Sequence, residues 1–292
     1  YPITFTRCEF SGFNAFAGAT PMVTFDDCVF KSNGKSGYNG ANLWGSAKMI
    51  DTEFVFDGNA TYEWVDCLGA DKTYEFTGCT INNGNFLNKT YVSAAGVIKV
   101  DGNDYDLNNS TFISTAEDLF AFANEVNVNN NTFKGKNVYL MTDIDLDNSE
   151  WTPIGNSTNK FQGIFDGNEK TISNLVITGD KSDVGLFGMT TNGEIKNLTV
   201  NNAKVSGYLN VAVVAGTPYT SKYSNINITG HVEINGFAYV GTIGGKNAYA
   251  NWSDITVNVD ETSYVKANST EGEKAYRTYV GGVCGFNGEG GH

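Results

Sequence analysis

Ser173-Asn174-Leu175-Val176-Ile177, Lys196-Asn197-Leu198-Thr199-Val200, Ser224-Asn225-Ile226-Asn227-Ile228 and Ser253-Asp254-Ile255-Thr256-Val257 are four renderings of one phrase: a polar residue, Asn or Asp, then a strand-like alternation. A second element, Val184-Gly185-Leu186-Phe187-Gly188, lies between copies and returns at 211–216, 240–245 and 280–285. The period is roughly 23 to 29 residues, the size of one solenoid coil. A repeat this short cannot bury its own apolar face, so each unit must stack on the next. The apolar residues alternate with Thr, Asn and Lys, the period-two signature of strands with one face inside. The reading is an all-β solenoid.

Residues 1–88 carry a second dialect. Ile3-Thr4-Phe5-Thr6-Arg7-Cys8-Glu9-Phe10 is matched by 23–30 and 74–81, with a degenerate copy at 50–56. If Phe and Cys both point inward, the two residues between them mark a bend, and Cys8, Cys28 and Cys79 align in a column. The five cysteines offer no CxxC knuckle, and disulfide frameworks belong to small domains without cores, so buried free thiols are expected, with Cys67 and Cys284 left open.

Residues 89–113 read as a hairpin or linker: a strand from Val97, a turn at Asp101-Gly102 and a return strand to Leu107. The single helix is expected near 115–126, opened by the capping-box spacing of Ser114 and Glu117, with Leu119, Phe122, Ala123 and Val126 on one face. A solenoid end exposes core and unpaired edges, and this helix is expected to cover one, opening a second section at 114–292. The Gly-rich end at 288–292 and the start at Tyr1-Pro2 suggest a piece of a longer solenoid, with neighbouring solenoid domains as partners.

With 32 acidic against 19 basic residues the net charge is −13, a poor match to nucleic acid or anionic lipid. No apolar run approaches the roughly 18 residues of a spanning helix, so no membrane insertion is expected.

Residues 115–285 resemble the GLUG-motif family of bacterial surface proteins. The resemblance rests on the opening helix, Val138 to Leu146, Trp151-Thr152-Pro153-Ile154-Gly155, Phe161 to Asn168, and the Gly185-Leu186-Phe187-Gly188 core. Later copies depart: 212–216 lacks the first glycine and 241–244 the aromatic. The resemblance implies a right-handed parallel β-helix in an adhesin-like protein at the cell surface or outside the cell. Residues 1–88 more weakly resemble pectate-lyase-like β-helices. Such folds host lyases and hydrolases, yet fold does not carry activity across.

Enzyme chemistry finds little support. The two arginines, Arg7 and Arg277, lie in different sections. Asp26-Asp27 falls at a bend with no His beside it, and His231 leads a strand as a solvated residue. A non-enzymatic module is expected, with no catalytic residue. Asp143, Asp145 and Asp147 share one side of a strand and are candidate calcium ligands, the one cofactor considered; a solvated acidic face is the alternative. Asn174, Asn197, Asn225 and Asp254 are expected to form one ladder from coil to coil, and Gly185 and Gly188 to permit tight turns. The ten or so Asn-x-Ser/Thr sequons, among them Asn59, Asn88, Asn156, Asn197 and Asn251, fit the composition without glycosylation.

The functional lead is aromatic. Segments 31–49, 57–73 and 261–278 read as long loops between coils, carrying Tyr38, Trp44, Tyr62, Trp64, Tyr264 and Tyr276. Flat aromatics on a rigid scaffold suit a glycan or a surface protein. A filament or phage-fibre repeat is the structural alternative, and a polysaccharide lyase or hydrolase the enzymatic one.

Overall fold

The computed structural model describes residues 1–17, 22–35, 37–59, 62–268 and 279–288. The chain divides into two compact units, Tyr1–Phe112 and Ile113–His292. Each is a parallel β-helix, and Ala116–Asn127 is the one α-helix among the described residues.

In the N-terminal unit a coil contributes one strand to each of three parallel sheets. The first stacks Ile3–Thr6, Val23–Asp26, Ala47–Ile50, Tyr74–Thr77 and Val97–Val100; the second stacks Glu9–Ser11, Val29–Lys31, Glu53–Val55 and Thr80–Ile81. The third, 4-stranded, stacks Phe13–Phe16, Tyr38–Leu43, Tyr62–Cys67 and Val92–Ala94. Register puts Phe5, Phe25, Met49 and Phe76 in one inward column. Phe25 stacks on Phe5 at 5.3 Å, and Phe30 on Phe10 at 4.6 Å and on Phe54 at 5.2 Å. Each such ring contributes about 1.5–3 kcal/mol by leaving water, so the stack of aromatics is the core.

The chain bends between the first and second sheets because Arg7, Asp27 and Asp51 take left-handed backbone at φ 52°, 52° and 45°, with Gly78 at 62°. The next position inward is Cys8, Cys28, Thr52 and Cys79 in register. The thiol of Cys28 donates to the Asp26 carbonyl at 3.4 Å, Cys79 to Thr77 at 3.6 Å, and the Thr52 hydroxyl repeats the bond to Ile50 at 3.0 Å. The column is therefore a row of corner donors, for which Thr substitutes in the degenerate copy. All five cysteines are free, and burial pushes the Cys79 thiol up to about 11.

The expected hairpin is present, Val97–Val100 turning at Asp101-Gly102 into Asn103–Asp106, and residues 89–112 also join the sheets. Val92–Ala94 and Val97–Val100 extend the third and first sheets, and Asn103–Asp106 closes the first sheet antiparallel. Val92, Ile98, Val100 and Tyr105 are buried, so this segment contributes core as well as connection.

In the C-terminal unit the N-cap falls on Thr115, one residue later than the sequence spacing suggested. Its hydroxyl accepts from the Asp118 N–H at 3.1 Å, and the Asp118 carboxylate accepts from the N–H groups of Thr115 and Ser114. Asp118 wins the N3 role because Thr115, extended at φ −135°, is the last residue outside the helix. Leu119, Phe122, Ala123 and Val126 face inward, and the Phe122 ring meets Phe133, Phe161 and Phe165 at 4.9, 5.8 and 6.0 Å.

The coils that follow are long strands, Ile164–Ile177, Glu194–Ser206, Lys222–Gly236 and Asn251–Val259, in parallel register. They bend at asparagines, and the expected single ladder is two. Asn197, Asn225 and Asp254 share one corner, where the Asn225 amide donates to Asn197 at 3.1 Å and Asn197 to Asp166 at 3.0 Å. Asn174 belongs to another corner, donating to Asp145 at 2.8 Å and accepting from Asn202 at 3.3 Å. All five sit at φ between 52° and 60°; Asn and Asp tolerate that region because their side chains bond locally.

The glycine-bracketed strands form their own sheet, Phe187–Thr191, Ala215–Tyr219, Gly244–Asn247 and Cys284–Asn287. Gly185, Gly188, Gly216, Gly245 and Gly285 all lie outside the left-handed region, so tight turning is not why they are glycine. Close approach is the reason. A Cβ on Gly188 would lie 2.3 Å from the Gly155 oxygen, and on Gly216 2.4 Å from the Asp183 carbonyl carbon. On Gly185 it would meet the Ala212 oxygen at 2.9 Å.

Candidate ligand-binding face

Segments 31–49 and 57–73 are not projecting loops. They hold the third strand of each coil, Tyr38–Leu43 and Tyr62–Cys67. Asn39, Ala41, Leu43, Val65 and Cys67 are buried, so the alternate residues necessarily face outward. The aromatics stand on a flat, hydrogen-bonded sheet, which positions them more firmly than loops could.

Register places Tyr38 opposite Tyr62, and Gly40 between Phe13 and Trp64. The Tyr38 and Tyr62 rings stack at 5.1 Å and 9°, Trp64 lies 4.9 Å from Tyr62 and 5.7 Å from Tyr38, and Phe13 meets Tyr38 edge-on at 6.3 Å. Exposure of 52% for Phe13, 54% for Tyr38 and 46% for Tyr62 leaves an apolar cluster facing water. Gly40 is held bare, at φ 109°, because its Cβ would come 2.0 Å from the Trp64 carbonyl oxygen. The next outward row is Ala15, Asn42, Asp66 and Ser93. The Ser93 hydroxyl donates to Asp66. Trp44 follows Leu43, its N–H bonded to the Phe16 carbonyl at 2.9 Å, and is 56% exposed. It stacks on no other ring among the described residues. The structure thus brings Tyr38, Tyr62 and Trp64 together and leaves Trp44 at the far end of the strand. Phe13 was missed, and aligning Phe13-Asn14-Ala15-Phe16 as a third strand would have found it.

Tyr264 opens the strand Tyr264–Ala267; its hydroxyl donates to Glu233 at 3.2 Å, and Lys266 lies 3.9 Å above its ring. Tyr276 and Arg277 lie outside the described residues.

The acidic trio does not converge. Asp143 accepts the Thr171 N–H at 2.8 Å, and Asp145 accepts the Asp147 N–H and the Asn174 amide, each at 2.8 Å. The Asp147 N–H, then Asn174, hold the Asp145 carboxyl below its usual range. Among the described residues no three His, Cys, Asp or Glu side chains come together as a metal site. Asp27 is a corner residue.

His231 is more engaged than a solvated residue. Its Nδ1 lies 3.0 Å from Asp260 on the following coil and its Nε2 3.1 Å from Glu233. Glu233 first and Asp260 second raise its pKa, and Lys204 lies 3.4 Å from Glu233. This cluster ties coils together; its signal, an Asp 29 residues after the His, is one coil length.

A stretch of 94 residues, 30% of this chain, is 43% identical to Halomucin of Haloquadratum walsbyi (strain DSM 16790 / HBSQ001). The match spans 1% of that protein's length. No family model matches the chain, and no solved structure matches it.

Proposed function

We propose that the protein is a non-enzymatic surface module of a larger polypeptide that binds glycan through the outer face of the third sheet in its N-terminal unit. The observation that carries this is the aromatic cluster of Tyr38, Tyr62 and Trp64 on the outer face of a rigid sheet, with the exposed Trp44 just past the end of the strand Tyr38–Leu43. Exposed apolar patches on rigid scaffolds mark interaction sites, and aromatic rings offer both an apolar body and polar tips. The partial likeness to Halomucin is compatible with an extracellular location. The C-terminal unit fits a GLUG-type repeat, whose close-approach glycines and asparagine corners stack coil on coil.

The test is a glycan array probed with the full chain, with Trp44→Ala and with Tyr62→Ala. The expected result is selective binding that both variants weaken while far-UV circular dichroism stays unchanged. Retention indifferent to both variants removes this face as the site.

A further inference from the structure

The outward positions of the third sheet have a chemistry of their own. Tyr38, Gly40, Asn42 and Trp44 on one coil, and Tyr62, Trp64 and Asp66 on the next, include one carboxylate and no lysine or arginine. Residues 1–112 hold thirteen acidic and seven basic side chains, so the surroundings are acidic too. Between the aromatic cluster and Trp44 the floor is low, because Gly40 has no side chain, Ala15 has only a methyl, and Asn42 is short. At about 3.3 Å per strand residue, Tyr38 and Trp44 stand roughly 20 Å apart, farther than one sugar ring reaches.

We infer that this face takes an uncharged polysaccharide, several sugar rings long, laid along Tyr38–Leu43 from the aromatic cluster to Trp44. The inference rests on the glycan reading above. Asp66 accepts sugar hydroxyls with the lone pairs that Ser93 leaves unused, as charge-assisted bonds. The same carboxylate repels uronates and sulfate esters, and no cation on the face offsets it.

Binding of the full chain is measured by titration calorimetry against a β-glucan, a mannan and dextran as uncharged chains, and against alginate and dextran sulfate as anionic ones. Oligosaccharides of increasing length from the best binder follow. At least one uncharged polymer is expected to bind about tenfold or more tightly than either anionic chain. Affinity rises with length before levelling, Trp44→Ala and Tyr62→Ala each weaken it about tenfold, and Asp66→Lys brings the anionic chains closer to parity. Alginate binding as tightly as the uncharged chains, or a monosaccharide competing as well as the polymer, overturns the inference and spares the glycan reading. Silence towards every polymer overturns both.

Discussion

Replacing Gly216 by Ala tests the stacking of the C-terminal unit at a point where only backbone surrounds the missing side chain. The added Cβ would lie 2.4 Å from the Asp183 carbonyl carbon, 2.5 Å from the Val184 nitrogen and 2.6 Å from the Asp183 Cα. All three are backbone atoms, so no side chain can swing away. Reaching ordinary van der Waals contact needs about 1 Å of separation where parallel strands stand about 4.8 Å apart. That movement strains the neighbouring coil-to-coil bonds, Val184 N–H to Asn210, Ala212 N–H to Val184 and Leu186 N–H to Val213, at 3.1, 3.0 and 2.8 Å. Overpacking costs about 1–3 kcal/mol, and each weakened bond up to about 1 kcal/mol. The expected loss is about 3–5 kcal/mol, a large share of a domain's usual stability. At about 2–4 °C per kcal/mol for a unit of this size, the melting transition falls by roughly 6–20 °C. The control is Gly282→Ala, whose Cβ meets nothing within 4 Å. Thermal melts followed by circular dichroism compare the two. A Gly216→Ala melt within 2 °C of wild type, or an equal fall in the control, refutes the close-approach argument.

The corner-donor account predicts that Thr52→Cys, which restores the column, changes stability by less than about 1 kcal/mol, whereas Thr52→Val, which deletes the donor, costs about 1–2 kcal/mol in urea unfolding. Equal effects would count against it. His231 has a folded pKa raised by Glu233 and Asp260, so its contribution is full below its unfolded value of about 6.5 and fades as pH rises through the folded value. His231→Gln should therefore lower the melting temperature more at pH 5.5 than at pH 8.5. A gap constant across that range, or wider at pH 8.5, contradicts the ion-pair assignment. Phe122→Ala, which empties the inner face of the covering helix, should cost about 3–5 kcal/mol; a change below 1 kcal/mol in chemical denaturation would show the helix to be dispensable for the core.

What was legible in the sequence is what repeats with an apolar period. Phe-x-x-Cys-x-Phe and the Asn-led strands report inward columns, because a stacked coil must present the same side chain at the same place. Register was harder to read. The step from Asn174 to Asn197 is 23 residues, while Asn197 to Asn225 is 28, and the short step marks a change of corner that residue type alone hides. The third sheet escaped notice because Tyr38-Asn39-Gly40-Ala41-Asn42-Leu43 has weak strand propensity; stacking against Phe13–Phe16 and Tyr62–Cys67 overrides it. The acidic spacing of Asp143 and Asp145 is ambiguous in the sequence, because carboxylates used as backbone acceptors have the same spacing as carboxylates free for a cation. Only the partners at 2.8 Å tell them apart.

The central claim is that the outer face of the third sheet is the binding surface, and hydroxyl-radical footprinting reads it side chain by side chain. The full chain is oxidised with and without an excess of mixed uncharged polysaccharides, and modification is quantified by mass spectrometry. The account predicts protection of Tyr38, Trp44 and Tyr62 with Tyr219 and Tyr249, equally exposed on the C-terminal unit, unchanged. Unaltered labelling at the first three, or protection confined to the last two, would contradict it.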